Sequence, residues 1–569
     1  MGHNKNTMIR RLWHAFRTAD FFLDKHALSL GLALLVVILR IPTLAEPYWY
    51  GDEAIYLTIG NSLGAGERLY LDIVDHKTPI IYYLAALAHT QFGFRILAML
   101  AVALSTVAFF VLIRDLFHKP LAQVVAMSIF IAYTNLPRYE GNIPNGELFV
   151  MMFVLLGLLI FRKTSLYQAF LRPQEHGSTT LSLKATQSRQ NFFLLFLTGT
   201  LMGLATLTKV PAIFDLGLIV VVAWIVFAQQ FLGQWKGIIP FWKKLSAERE
   251  IAWGIWLQLL TVISGWAVMI ALSIFYYAVR GTLDQYIDYG LLYNFRYAGN
   301  WVPHFDSALT SWAFTLKGKV ILLVSWVLAI TFFKKNVSRA FLMGSSWLAL
   351  TLVAATLSNR PYPHYFLQVF PGLAIVCAVI ISVAWETLQL WQKNVHRRTD
   401  LKVAGRLTQP VVEVAGCIII IAALFSTLSI LHVTPYPTQK YYQLFFKLAT
   451  KQISWETYRD QFNPVLKDNY QVARLLMKSP EQEIFIWGTN PLLYALSGKH
   501  PVGRFTVSFH IDDFHAYRET LDAIQAKHPT FIIVMKNQAP LPGLNELLEA
   551  SYMPNSEYST LTVWRRSVR

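Results

Sequence analysis

More than half of the 569 residues are hydrophobic (54%), only 15% are charged, and Phe, Tyr and Trp together reach 14%. A soluble core does not need that much apolar side chain, so an ordinary soluble protein is excluded and long uncharged runs read as membrane spans. The net charge of +17 does not point to nucleic acid, because the excess sits in short loops between apolar runs and no nucleic-acid-binding signature accompanies it.

The chain opens with Arg10, Arg11 and Arg17, followed by an apolar stretch with no small-residue cleavage site after it. That pattern reads as a retained signal anchor. Apolar segments at 28–43, 94–116, 120–135, 147–162, 192–208, 211–231, 251–279, 313–333, 340–357, 364–387 and 410–433 predict eleven spanning helices. Several fall short of the roughly 20 residues a perpendicular span needs, which implies local thinning or extension into loops. Pro79–Phe92 is apolar too, but it is short and contains His89 and Gln91, so an interfacial or re-entrant helix is expected over 79–92. Cys377 and Cys417 lie in apolar runs and read as small buried hydrophobes.

Loop charges orient the spans. With the N-terminus inside, Arg114 and Lys119, Arg162 and Lys163, Lys243 and Lys244, Lys334 and Arg339, and Arg397 and Arg398 fall in cytoplasmic loops, as the positive-inside rule requires. Counting Pro79–Phe92 as a span would invert all of them. The same topology puts 44–78, 136–146, 280–312 and 358–363 on the outer face. An odd number of spans leaves the tail there as well. Its short β-like runs, Ile484–Trp487 and Phe531–Val534, alternate with polar helical stretches. The expected organisation is a membrane domain over 1–433 and a soluble α/β domain over 434–569.

Chemistry concentrates on that outer face. The first loop holds six acids (Glu46, Asp52, Glu53, Glu67, Asp72, Asp75) against two bases. Asp52 and Glu53 follow the aromatic cluster Tyr48-Trp49-Tyr50 and precede Ala54–Leu63, which reads as an amphipathic helix. A carboxylate partly desolvated against a membrane surface has its pKa raised and becomes a usable base; a freely solvated turn would not. A second acidic group, Glu140 and Glu147, lies in the loop entering the next helix. There Glu147 reads either as a site acid or as a helix-start residue answering the macrodipole. Lys209 breaks the positive-inside trend, as an anion-binding lysine would, although snorkelling to headgroups gives the same position. Arg360 and Lys77 are further outer cations. His364 stands near Arg360 as a donor or as interface packing. The tyrosines of 280–312, among them Tyr286, Tyr289, Tyr293 and Tyr297, read mostly as an interfacial belt. His76, His364 and His510 are far apart with no ligand spacing, so no metal site is expected, and no nucleotide fingerprint is present.

The run Arg40-Ile41-Pro42, then Gly51-Asp52-Glu53 with Tyr56, then Gly66, Tyr70, Asp72, Asp75, Lys77 and Pro79 with Tyr82-Tyr83 resembles the first outer loop of polyprenyl-phosphate-sugar-dependent glycosyltransferases. These form the GT-C superfamily, and the likeness is to bacterial relatives of protein O-mannosyltransferases and aminoarabinose transferases (glycosyltransferase family 39-like). Gly203-Leu204-Ala205-Thr206-Leu207-Thr208-Lys209 resembles the family's Gly-to-Lys helix end. Arg360 with His364-Tyr365-Phe366-Leu367 and Pro371 resembles its late outer-loop motif. Trp487-Gly488 and Tyr494 resemble its exoplasmic domain. The resemblance spans essentially the whole chain and rests on the order and placement of motifs rather than on any one of them.

It implies a polytopic α-helical GT-C protein of about 11 transmembrane helices with a C-terminal soluble α/β domain, in a bacterial inner (plasma) membrane. The implied donor is a sugar on a polyprenyl phosphate, and the acceptor (lipid, glycan or protein) attacks the anomeric carbon with inversion. No metal or other cofactor is required. The roles implied are Asp52 as base, Glu53 orienting the acceptor, and Glu147 as a second acid where some relatives have aspartate. Lys77, Lys209, Arg360 and His364 would hold the donor phosphate, and Tyr56, Asp75, Glu140 and Tyr293 would bind substrate. The rivals are a secondary transporter or lipid flippase, and a non-catalytic assembly protein for envelope polysaccharide. Transporters place ionisable groups near the bilayer midplane, where only Asp215 approaches that pattern.

Overall fold

The computed structural model describes residues 25–172, 188–232, 238–299, 301, 305, 307–334, 337–395 and 408–567. Eight described helices are long and apolar enough to cross a membrane. The pair Gly146–Phe161 and Ser165–Leu171, bent by 83° at its break, adds a ninth, and Pro120–Asn135 and Arg339–Ala355 are apolar but shorter. These account for the eleven expected segments. Several of the orienting arginines, Arg10, Arg11, Arg17, Arg397 and Arg398, lie outside the described residues. Some helix starts move by a few residues: the span expected at 94 begins at Gln91, because the Thr90 hydroxyl accepts from the Gly93 amide at 3.1 Å and caps it. Upstream, Ile80–Ala88 is nine residues long and ends at His89 with φ of 57°. Nine residues rise about 13 Å, too little to cross the bilayer's apolar core.

Asp52 and Glu53 occupy the first turn of a helix at Gly51–Gly64, where carboxylates meet the positive end of the macrodipole. This helix is not amphipathic as expected. Every residue from Glu53 to Gly60 is buried. Its two faces are covered by Ile80–Ala88 beneath and by the C-terminal domain above, where Ala54 packs with Leu466 and Leu492. Gly60 permits the first contact: a Cβ there would lie 2.6 Å from the Ala86 nitrogen.

Two arginines inside the apolar layer organise the loops. Arg40 donates to the carbonyls of Gly141 and, at 3.1 Å, Asn142, which ties down the 136–146 loop. Arg95 donates to the carbonyls of Thr43 and Glu46 and pairs with both oxygens of Glu53, at 2.8 and 2.7 Å. Gln91 adds a third donor to Glu53 at 3.1 Å. Buried charge is tolerable at Arg95 because all three of its nitrogens face acceptors, whereas Arg40 Nε has no partner.

Beyond the last span the chain folds into helices around a five-stranded sheet. Its strands are β1 (Glu483–Trp487), β2 (His500–Pro501), β3 (Phe531–Met535), β4 (Tyr552–Glu557) and β5 (Leu561–Arg566), in the order β2-β1-β3-β5-β4. β1 runs parallel to β2 and β3, while β5 is antiparallel to β3 and β4. The period-two alternation of β1 sends Phe485 and Trp487 to a core with Ile524 and Leu544, and Ile484 and Ile486 to one with Val472 and Leu493. This domain is seated on the first loop. The Val74 amide donates to the Arg504 carbonyl at 2.8 Å, and Ser62 Oγ lies 3.0 Å from His500 Nδ1.

Two stability outcomes follow from this packing. Arg95→Ala leaves Glu53 buried without its cation and destabilises by about 3–5 kcal/mol, and Arg95→Ala combined with Glu53→Leu recovers part of that loss. Thermal melting in detergent checks both; a double variant no more stable than the single one would remove the charge from the explanation. Gly60→Val costs about 1–3 kcal/mol by overpacking, whereas Gly64→Ala, with open space around its Cβ, leaves the melting temperature unchanged.

Candidate active site

The first loop turns back on itself at Tyr70, whose φ of 71° lets its amide donate to the Ile73 carbonyl at 2.7 Å. The Tyr70 hydroxyl then donates to the Lys77 carbonyl at 2.7 Å, and the Lys77 amide donates to the Tyr82 hydroxyl at 3.2 Å. These bonds hold the lysine's backbone from both sides and leave its side chain one direction. Its Nζ stands 3.4 Å from Asp52 Oδ2 and 3.8 Å from Asp75 Oδ2, 4.9 Å above the Tyr56 ring. The Tyr56 hydroxyl donates to Asp52 Oδ2 at 3.3 Å, and Tyr82 donates to Asp75 Oδ2 at 2.6 Å. Asp52, Tyr56, Asp75 and Lys77 thus form one cluster. Asp75 is fully buried, while the Asp52 side chain keeps 29% of its exposure and is the reachable member.

The electrostatics correct one expectation. Burial pushes the Asp52 carboxyl up, but Lys77, with His364 and Lys209 behind it, outweighs burial and holds it below the ordinary aspartate value. Desolvation alone therefore does not set its basicity. Burial also works against the Lys77 ammonium, and Asp52 and Asp75 overcome it to hold that pKa above the usual lysine value.

Glu53 and Asp52 part company. Successive helical residues point about 100° apart, and Glu53, 1% exposed, spends both oxygens on Arg95 and Gln91. It supports the site's frame and faces neither cavity described below. Glu147 and Lys209 meet as an ion pair, with the Lys209 ammonium 4.0 Å over the Tyr365 ring. Glu147 thus stands in the first turn of its helix and also pairs with a lysine that lines the apolar cavity described below. Glu140, at φ of 60°, pairs with His364, and the Tyr50 hydroxyl lies 2.7 Å from Glu140 Oε2 and 3.0 Å from His364 Nδ1. Arg360 is stacked 4.0 Å over Tyr297 and 5.4 Å from Trp301. Tyr293 is buried, and its hydroxyl donates to Asp513 of the C-terminal domain, so it is a tie between loop and domain.

Two cavities meet at this cluster. One, of about 720 Å³, is walled by apolar side chains such as Phe214, Phe295, Trp301, Phe314 and Leu316, with Lys77, Glu147 and Lys209 at its polar end. The other, of about 480 Å³, lies under the C-terminal domain and is lined by Trp49, Tyr50, Asp52, His364, Thr489 and Asn490. His76, Lys77, Tyr297 and Tyr365 line both. Tyr297 and Tyr365 stood in stretches already singled out, but Thr489 and Asn490 carry no local signal, since they matter only once the domain is docked. The absence of metal-ligand spacing also misses a grouping: His76 and His510 meet Asp75, the one such set of three among the described residues, while His364 goes elsewhere.

No protein-family model and no curated protein matches the sequence. Among solved structures, the chain is similar to ArnT from Cupriavidus metallidurans in the apo state, with 12% identity, a TM-score of 0.50 and coverage of 94% of this chain and 97% of that one. ArnT bound to undecaprenyl phosphate aligns with a TM-score of 0.48 at 13% identity, over 95% and 97% of the two chains. Archaeal oligosaccharyltransferase AglB from Archaeoglobus fulgidus, in complex with an inhibitory peptide and a dolichol-phosphate, aligns at 0.40 and 14% identity, over 90% and 70%. Alike over nearly the whole of both chains at a TM-score of 0.50, this protein has the fold of that ArnT structure, a GT-C membrane fold.

Proposed function

We propose that this protein transfers a sugar, with inversion, from a polyprenyl-phosphate carrier to an acceptor on the outer face of the membrane. The observation that carries the reading is Lys77 bridging to Asp52 where the two cavities join. The apolar cavity suits a polyprenyl chain, with Lys77 and Lys209 at its polar end to receive the phosphate. The second cavity, mixed in polarity and partly aromatic, suits a hydroxyl- or amine-bearing acceptor. Asp52 faces it.

In this mechanism Asp52 takes the proton as the acceptor's oxygen or nitrogen bonds to the anomeric carbon. The bond from that carbon to the phosphate oxygen breaks, and its electron pair stays on the departing polyprenyl phosphate. Fixed cations beside that oxygen lower the barrier because they need not reorganise as charge develops. The ion pairs add a coupling: the donor's phosphodiester anion drawing Lys77 away weakens the contact that depresses Asp52, so the base strengthens when donor is in place. Arg360, held over two aromatic rings, sits at the edge of this arrangement as a further phosphate contact. Glu140 and His364 act through Tyr50 on the acceptor side. The basic loops favour the cytoplasmic face for the opposite end of the bundle, and an inner membrane as location. A transporter is less consistent with the geometry: Asp215, the acid within a span, is buried and accepts from the Trp347 indole at 2.7 Å, a bond between helices.

Purified protein given polyprenyl-phosphate-linked sugars and membrane extract should consume donor. Asp52→Asn lowers that rate by about 10²–10⁴-fold while donor still binds. Full transfer by this variant would remove the base, and solute or lipid movement across vesicles without donor use would favour the transporter. Lys209→Met should raise the donor KM more than Lys209→Arg does; equal effects would deny it a phosphate contact. The pH profile tests the coupling. Lys77 lowers the Asp52 pKa, so in Lys77→Met the acid limb of the residual kcat/KM moves to higher pH, and an unmoved limb would break the link.

A further inference from the structure

The cavity that Asp52 faces is roofed by a particular part of the C-terminal domain. In the order β2-β1-β3-β5-β4 the sheet's edges are β2 and β4. The cavity meets neither. It is lined by Thr489, Asn490 and Pro491, which follow β1, and by Met535, the last residue of β3. An extended peptide is commonly bound by adding a strand to a sheet edge, and no edge is offered here. The carboxyl ends of neighbouring parallel strands are instead where α/β sheets take small ligands. The turn after β1 is shaped to present such a ligand with a hydroxyl. Gly488 has φ of 135°, and a Cβ on it would lie 2.4 Å from Met535 Cγ. A reciprocal amide pair between Asn490 and Asn469, at 2.8 and 2.9 Å, fixes the far side of the turn, and Thr489 between them is exposed.

The charges of the wall narrow the ligand further. Lys77 is the one lysine or arginine among the described lining residues, and it stands between Asp52 and Asp75. His76 Nδ1 faces Asp75 at 2.9 Å, and His364 pairs with Glu140. Acid therefore exceeds base, and no cation is left over for an anionic acceptor. The presence of a base points the same way. A phosphate oxygen is already an anion and has no proton to lose on attack, whereas a hydroxyl must lose one, and Asp52 is placed to take it. Aromatic faces supply the rest of the wall: Tyr362 is 40% exposed, and Trp49 and Tyr50 are half-buried. We propose that the acceptor is an uncharged carbohydrate that stacks on Tyr362, hydrogen-bonds to Thr489 and offers one ring hydroxyl to Asp52. This deepens the transfer function proposed above and rests on it. The hydroxyl oxygen bonds to the anomeric carbon as its proton passes to Asp52. The bond from that carbon to the phosphate oxygen breaks, and its electron pair leaves with the polyprenyl phosphate. The product is a glycan longer by one sugar.

The linkage in the product tests the acceptor class. Full-length protein in detergent is given donor radiolabelled in the sugar, together with membrane extract, and the labelled product is methylated and hydrolysed. The label should be found in glycosidic linkage to another sugar and should survive mild acid and alkaline β-elimination. Release by mild acid would mean a phosphate acceptor, and release by β-elimination a serine or threonine; either overturns the assignment, as does label on nitrogen or on a lipid alcohol. Tyr362→Ala and Thr489→Val should each raise the half-saturating amount of extract about 2–10-fold, more than they raise the donor KM. Tyr362→Phe, which keeps the ring, should raise it less than Tyr362→Ala. Melting temperatures check that the variants fold, and unchanged half-saturation in both would remove this wall from acceptor binding. If no donor is consumed, the transfer function itself fails. Binding then decides the class: immobilised wild type should retain the neutral oligosaccharide fraction of the extract more than Tyr362→Ala does, and no retention overturns the assignment.

Discussion

Everything at the site depends on a charge placed where charge is expensive. Arg95 lies inside a spanning helix, yet it gathers the carbonyls that end the first span and the carboxylate of Glu53. A buried ion pair adds little stability over a well-packed apolar pair, but it tolerates few geometries. That intolerance is its use here. Once Glu53 is held, the helix Gly51–Gly64 has no rotational freedom, and its neighbour Asp52 faces the cavity.

The charged part of the site is an alternation: Asp52, Lys77, Asp75 on one side and Glu147, Lys209 on the other. Each cation is paired with a carboxylate, which keeps the cluster's burial tolerable. Neither is consumed by its partner, because both line the cavity whose remaining wall is apolar. An anion with a long apolar tail is the kind of ligand that satisfies both halves of that cavity at once. A free sugar or a nucleotide would leave the aromatic wall unmatched.

How far the sequence was legible differs by level. Spans were readable because a membrane leaves only one periodicity-free signal, a long uncharged run, and loop tightness moved the boundary by few residues, as at Thr90. Asp52, Lys77 and Lys209 were readable because they are charges out of place. The division of labour between Asp52 and Glu53 was not, since it turns on Arg95, a residue hidden in an apolar run. The direction of the Asp52 shift is not legible in the sequence either, because burial alone points upward and the lysine that answers it comes close only in the fold. The helix after Asp52 looked amphipathic only because its roof arrives hundreds of residues later. His76 and His510 escaped for the same reason: ligand spacing is a local rule, and this contact is the least local kind.

The order of these pieces along the chain has a consequence for biosynthesis. Asp52 and Lys77 leave the ribosome hundreds of residues before the ceiling of their cavity, from Asn463 to Met535. Until then the carboxylate and the lysine stand without the walls that would hold an acceptor between them. On the proposed function, a chain cut before Asn463 would lack that ceiling and would leave the acceptor cavity open above Asp52.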